Sequence, residues 1–259
     1  RSADAQDIPA DAAVSEAAPG QFELNLHYQR DPLRAADDAV LLRRLVAGVA
    51  RKHNLKASFM AKPFVNQTGN GMHVHCSVLD EKGNNIFDDG TDEGSARLRH
   101  AIGGLQATLA DAMAIFAPNI NSYRRFGPNL FVPVNGSWGY NNRSVAFRVP
   151  NGSPDSRRIE HRVTGADANP YLVLAAILAG IHYGIVNEID PGEPAEGNAC
   201  EIMDESIPFY LPSALKRFRN SDVMRKYLGD LYVDVYAETK MLEFDKFQRA
   251  ISPLEYDWY

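Results

Sequence analysis

Apolar residues recur at helical spacing in several long stretches of the chain. Leu98, Ile102, Leu105, Leu109, Met113 and Ile115 mark a helix over residues 95–116. Val40, Leu41, Leu45, Val46 and Val49 mark another, which starts at Asp31-Pro32 with an acidic cap and a proline at the first position and runs to about His53. Residues 169–186 form a strongly apolar helix opened by Pro170, and 211–220, 222–228 and 230–252 read as helices, the last one stopped by Pro253. Period-two alternation appears elsewhere. Phe22, Leu24 and Leu26 oppose Glu23, Asn25 and His27; Met72, Val74 and Cys76 oppose His73, His75 and Ser77. Residues 56–60 read as a strand, and 80–87 as a hairpin with Lys82 to Asn85 at its tip. Runs 144–150 and 157–164 flank a turn at Asn151-Gly152-Ser153-Pro154 and read as a second hairpin. Residues 1–15 carry little pattern, and 190–207 read as an acidic surface loop.

Polar strands set among apolar helices predict an α+β fold, with a curved, mostly antiparallel sheet flanked by helices. Its concave face is expected to carry Glu23, His73 and Glu160. At 259 residues the chain can bury a sizeable core, as one large domain or two small ones. A net charge of −6 does not suggest a nucleic-acid partner, and no apolar run is long enough to span a bilayer. The 2 cysteines, Cys76 and Cys200, are far apart, which fits a reducing cytoplasm.

The chemistry-bearing residues fall on the strands. Arg158, Glu160 and Arg162 share one face of their strand, with Ile159, His161 and Val163 on the other. Such a row fits the wall of a polar cavity, where guanidinium forks hold phosphate or carboxylate and the glutamate takes a hard cation. It equally fits a solvated salt-bridge ladder, and the residues alone leave both readings open. Arg148 shares its face with Ala146 and Ser144, which are small enough to leave room for a ligand. Gly69 and Gly71 allow close backbone approach, and His73, His75 and Ser77 follow them as a possible metal and nucleotide wall. Glu16 lies an odd number of residues from Glu23, so a flat strand separates their faces. A bulge at Pro19-Gly20 is the expected device that reunites them.

Lys62-Pro63 followed by Gly69-x-Gly71-x-His73-x-x-x-Ser77 resembles the central signature of the glutamine synthetase family, the ATP-dependent glutamate–ammonia and glutamate–amine ligases. Glu16…Pro19-Gly20-Gln21-Phe22-Glu23, Asn121-Ser-Tyr-Arg-Arg125, Trp138-Gly…Asn142-Arg143, Arg148-Val-Pro, Arg158-Ile-Glu160-His-Arg162 and Ala168-Asn-Pro-Tyr-Leu follow in family order. The resemblance is close over residues 14–187 and looser over the C-terminal helices.

The resemblance implies transfer of the ATP γ-phosphate to the glutamate side-chain carboxylate, then displacement of phosphate by an amine. It implies two Mg²⁺ or Mn²⁺ ions, with Glu16 and Glu23 on one and His73 and Glu160 on the other. It further implies that Arg143, Arg148 and Arg158 neutralise phosphate charge, and that Arg125 and Arg162 hold the glutamate carboxylates. Backbone near Gly69 contacts the amino acid, and His75 and Ser77 lie on the ATP side. By the same likeness the working protein is a cytoplasmic, ring-forming homo-oligomer. The family also has an N-terminal β-grasp domain and upstream metal-binding glutamates. Residues 1–259 lack both, so they are expected to be a catalytic-domain fragment that is inactive alone.

Two departures from the family pattern bear on function. Thr68 stands where many members have Asn. Phe131 stands where glutamine synthetases carry a flap glutamate that handles the ammonium proton. An apolar ring there suits an alkyl chain, so the sequence resembles the γ-glutamylpolyamine (γ-glutamylputrescine) synthetase branch. A polyamine such as putrescine is the expected acceptor; the alternatives are ammonia, as in glutamine synthetase, or a catalytically silent structural homologue.

Overall fold

The structure, a computed structural model, describes residues 2–259; Arg1, where the predicted domain begins, lies outside the described residues. In chain order its strands and α-helices are β1 (Ala10–Ser15), β2 (Phe22–Leu26), α1 (Pro32–Lys52), β3 (Val74–Cys76), α2 (Ala96–Phe116), α3 (Ile120–Tyr123), β4 (Trp138–Tyr140), β5 (Phe147–Val149), β6 (Ile159–His161), α4 (Pro170–Val186), α5 (Leu211–Arg219), α6 (Asp222–Leu228), α7 (Asp230–Gln248) and α8 (Pro253–Trp258). The long helices start where their caps predict: Asp31, Ser95 and Asn169 each accept a backbone N–H of the first turn.

The strands form a four-stranded sheet in the order β3-β6-β5-β4, antiparallel except for the β4–β5 pair, and a separate two-stranded hairpin of β1 and β2. The expectation that Glu23, His73 and Glu160 share one sheet is therefore corrected, because Glu23 stands on the separate hairpin. β1 has little alternation of its own and exists by pairing with β2. Residues 56–60 form no strand, since their polar groups bond locally and to a loop: Met60 N–H donates to Ser58 Oγ, and Asn70 Nδ2 donates to the Met60 carbonyl. The predicted 80–87 hairpin is a turn held by the Asp80 carboxylate, with a single bridge at Leu79 and Asn85. The last long helix stops at Gln248, and Pro253 begins the short α8 behind a Ser252 cap.

The core lies between one face of the larger sheet and α2 and α4. Trp138, Phe147, Ile159 and Val163 meet Leu105, Leu109, Met113 and Ile177 there, all nearly excluded from solvent. Each such side chain contributes about 1.5–3 kcal/mol on burial. α2 and α4 touch backbone to backbone through glycines: a methyl added at Gly104 would lie 2.1 Å from the Gly180 carbonyl oxygen. The acidic loop 190–207 covers the free edge of β4, with Ala195 N–H donating to the Trp138 carbonyl at 2.7 Å. With its back packed on helices, the sheet turns its other face outward.

Candidate active site

The outward face carries a transverse row set by strand register. His75 pairs with Glu160, Glu160 with Arg148, and Arg148 with Gly139. Paired residues point to the same face, so these side chains converge. Arg148 Nη1 lies 2.8 Å from Glu160 Oε2, Arg162 Nη1 lies 2.5 Å from Oε1, and His73 Nδ1 lies 3.3 Å from Oε1. Arg158 Nε donates to His75 Nδ1 at 3.1 Å. Glu160 is only 3% exposed. Burial alone would raise its pKa, but the His73 hydrogen bond and the Arg162 charge hold it well below the usual carboxylate range. The solvated-ladder reading of this face is thereby set aside: the carboxylate is buried and shared between two arginines and His73.

His75 titrates low, at about 4, because desolvation outweighs the Glu160 charge and the flanking arginines add to it. Its imidazole is neutral at neutral pH and accepts the Arg158 proton at Nδ1. Arg125 is 5% exposed. Its Nη1 donates to the Val163 carbonyl at 2.6 Å and its Nη2 to the Arg162 carbonyl at 3.4 Å. Burial lowers it to about 10, Asp167 opposes that shift and Arg162 adds to it; it stays cationic. The glycine loop packs onto this arginine. A methyl at Gly69 would sit 2.6 Å from the Ala61 carbonyl oxygen and 2.7 Å from Arg125 Cγ. A methyl at Gly71 would sit 2.8 Å from Arg125 Nη2 and 3.2 Å from His73 Nε2.

Glu16 and Glu23 reach one face by a different device from the predicted bulge. Val14 pairs with Glu23, and the ladder continues with Glu16 N–H donating to the Gln21 carbonyl, so Glu16, Gln21 and Glu23 share a face across the β1–β2 hairpin. Pro19-Gly20 forms its turn, with Gly20 at φ 74. Gln21 docks the hairpin on the glycine loop: its Nε2 donates to the Gly69 carbonyl at 3.0 Å and to Asn70 Oδ1 at 2.7 Å, and the Thr68 hydroxyl donates to its Oε1 at 2.8 Å. Thr68 thus has a specific partner where many family members have Asn.

Some predicted residues stand apart. Arg143 is exposed, and no hydrogen bond or ion pair ties its side chain down among the described residues. Ser77 follows β3 half-buried. Phe131 is 83% exposed at φ 57, the left-handed region. Ala146 and Ser144 do not leave the expected room beside Arg148. Ala146 is fully buried, and the Ser144 hydroxyl donates to Asn142 Oδ1 and accepts from Ala199 N–H.

Gln21 and Asn141 also support the site, by contacts that no local pattern announces. Asn141 Oδ1 accepts from Arg148 Nη2 at 2.6 Å while its backbone sits at φ 48. The Asn141-Asn142 pair after a strand is a signal for the backbone conformation alone, since Asn tolerates that region.

Among the described residues no group of three or more His, Cys, Asp or Glu is placed to hold a metal by itself. His73 and Glu160 nevertheless converge as a donor pair of one imidazole and one carboxylate. That set fits a Mg²⁺ or Mn²⁺ ion whose other ligands are phosphate oxygens and water, the usual arrangement for a metal on a nucleotide. No helix is long and apolar enough to cross a membrane among the described residues.

The glutamine synthetase catalytic domain profile matches residues 1–259. The gamma-glutamylputrescine synthetase PuuA of Escherichia coli (strain K12) is 46% identical over 251 residues, which are 97% of this chain and 53% of that protein. The glutamate–isopropylamine ligase of a Pseudomonas species is 37% identical over 241 residues, 91% of this chain and 52% of that protein. The solved structure of ligand-free GmaS superposes with a TM-score of 0.85 at 31% identity, covering 98% of this chain and 59% of the GmaS chain. The chain spans about half the length of the curated relatives it matches. With the ordered motifs, the shared fold and these identities in agreement, the chain belongs to the glutamine synthetase family, whose catalytic domain it represents.

Proposed function

We propose that the full-length protein is an ATP-dependent glutamate–amine ligase acting through γ-glutamyl phosphate, with a polyamine such as putrescine as acceptor. The observation that carries this reading is the buried Glu160 carboxylate gripped by Arg148, Arg162 and His73. A surface that rich in cations around one carboxylate suits phosphate and carboxylate ligands together. Mg²⁺ or Mn²⁺, when bound by His73 and Glu160 and by Glu16 and Glu23, supplies positive charge to the nucleotide phosphates.

Arg148, Arg158 and the unengaged Arg143 neutralise charge on the phosphoryl group in transfer. Arg125 and Arg162 hold the glutamate carboxylates so that the γ-carboxylate oxygen lies in line with the terminal phosphorus. His75, neutral and anchored by Arg158, lines the ATP side with Ser77. The acyl phosphate forms as the P–O bond to ADP breaks. The amine nitrogen then attacks the carbonyl carbon of the γ-glutamyl phosphate, the C–O bond to phosphate breaks, and a proton is lost from nitrogen. A solved relative is named as an ADP complex, which supports a nucleotide as one substrate. By family likeness the working protein is a homo-oligomeric ring in the cytoplasm.

The polyamine acceptor rests on Phe131 and on the amine ligases among the relatives. Each buried CH₂ of an alkylamine contributes about 0.8 kcal/mol, and a cation–π contact adds on the order of 0.5–2 kcal/mol. Ammonium has no methylene to bury. The test is a ligase assay on the full-length protein with γ-carboxylate-labelled heavy-oxygen glutamate, ATP, and putrescine or ammonium. Label appearing in inorganic phosphate, with putrescine preferred, is the expected result. Amide formation without label in phosphate would overturn the acyl phosphate, and preference for ammonium would overturn the acceptor.

A further inference from the structure

We propose that Asp167 is a positioning residue for the glutamate-carboxylate subsite: it clamps the segment that carries Arg125 against the one that carries Arg162, and its charge opposes that of the buried Arg125. This rests on the reading that Arg125 and Arg162 hold the substrate carboxylates.

Asp167 lies in the loop between β6 and α4, a few residues beyond Arg162. Its Oδ2 accepts from the Ser122 hydroxyl at 2.6 Å and from Asn119 Nδ2 at 2.9 Å, which fastens the loop to the start of α3. Ser122 Oγ in turn accepts the Asn119 N–H at 3.0 Å. Arg125 lies one residue beyond the Arg124 cap of α3, and its backbone N–H donates to the Ser122 carbonyl. Its guanidinium reaches back to the Val163 and Arg162 carbonyls of the same loop. The two segments therefore hold each other twice, once through Asp167 and once through Arg125. Lys240 Nζ, 3.3 Å from Asn119 Oδ1, ties α7 to the same cluster.

The other carboxylate oxygen, Oδ1, is buried and has no hydrogen-bond partner. Room for it depends on Gly165, where an added methyl would lie 2.5 Å from Oδ1. A purely structural clamp would be served as well by a neutral amide. A half-satisfied carboxylate acts at longer range, and the cations it favours are the buried Arg125 and the half-buried Arg43. Asp167 does not touch the substrate; it holds the Arg125 segment in place to meet it.

Steady-state kinetics on the full-length enzyme test this. Asp167→Asn keeps the acceptor for Ser122 and removes the charge. It is expected to raise the glutamate KM about tenfold or more, with the ATP KM and kcat each changed less than about threefold. Asp167→Glu, which restores the charge, should recover part of the loss. Should Asp167→Asn not fold, Ser122→Ala, which loosens the clamp and keeps the charge, is expected to raise the glutamate KM about threefold. An unchanged glutamate KM, or a uniform fall in every parameter with the melting temperature, overturns the proposal. Arg125→Lys separates it from its premise: if that variant leaves the glutamate KM unmoved, Arg125 does not hold the substrate and the proposal falls with it.

Discussion

Arg148 stands directly opposite Glu160 across the β5–β6 ladder, and its Nη1 meets Glu160 Oε2 at 2.8 Å. Arg162 and His73 take the other oxygen, so one buried carboxylate organises the polar side chains of the face. Glu160→Gln leaves those guanidiniums facing each other without their anion. Breaking a buried pair in this way costs about 3–5 kcal/mol, and urea unfolding should show a loss of that order. Ligase activity should fall by about a thousandfold, since the same change removes a proposed metal ligand and misplaces the phosphate-binding arginines. A variant that keeps both near wild type would exclude Glu160 as the centre of the site.

Gly69→Ala should damage the glutamate subsite. The new methyl meets backbone at Ala61 and the Arg125 stem, and neither can withdraw without shifting the loop. A cost of about 1–3 kcal/mol is expected, with a higher glutamate KM in the full-length enzyme. Gly83→Ala is the control. It has open space around it at φ 87 and should cost only about 1 kcal/mol with no kinetic effect. Equal kinetic effects in the two variants would count against the packing of Gly69 on Arg125.

Stability should fall as pH drops from about 6.5 towards 5, where ordinary carboxylates are still ionised. His161 is buried against Phe116 and Phe147, with ring centroids 4.4 and 5.4 Å away. Burial, with His73 and Arg125 adding to it, lowers its pKa to about 3. The unfolded chain takes up the proton first, so the stability is fully present above about pH 6.5 and is lost progressively as pH falls towards the folded value, at up to about 1.4 kcal/mol per unit. His75 has the same sign but is more open to solvent, so its share is smaller. His161→Leu should flatten the melting temperature between pH 7 and 5. A slope identical to wild type would assign the acid sensitivity elsewhere.

Phe131→Glu in the full-length enzyme should shift kcat/KM from putrescine towards ammonium by about tenfold or more, because a carboxylate replaces the water that ammonium gives up on binding. The substitution is structurally mild, since the ring is 83% exposed and makes no core contact. A ratio unchanged between wild type and variant would remove Phe131 as the selector.

Residues 1–259 alone should show no ATP- and glutamate-dependent amide formation. Among the described residues, His73 and Glu160 meet without a third acidic or imidazole donor. Turnover by this chain comparable to the full-length enzyme would mean that the site is complete within it.

The helices and the polar face of β6 were legible in the chain alone. α1, α2 and α4 were legible because apolar spacing, cap residues and Pro at the first turn all agree locally. The alternation of Arg158, Glu160 and Arg162 against Ile159, His161 and Val163 was legible for the same reason, as a two-residue period needs no partner to be seen. Pairing was legible only for the β5–β6 hairpin, where a turn signal joins two neighbouring runs. β1 has no alternation of its own, Lys56 to Met60 alternate without a partner, and Glu16 joins the face of Glu23 through hairpin register rather than a bulge. Strands are completed by hydrogen bonds to residues distant in sequence, so their existence and register are tertiary facts. The roles of Gln21, Asn141 and Asp167 were decided in the same way: each is a short polar side chain whose meaning lies in the loop it reaches, to Gly69, Arg148 and Ser122, and that reach exists only once the helices have packed.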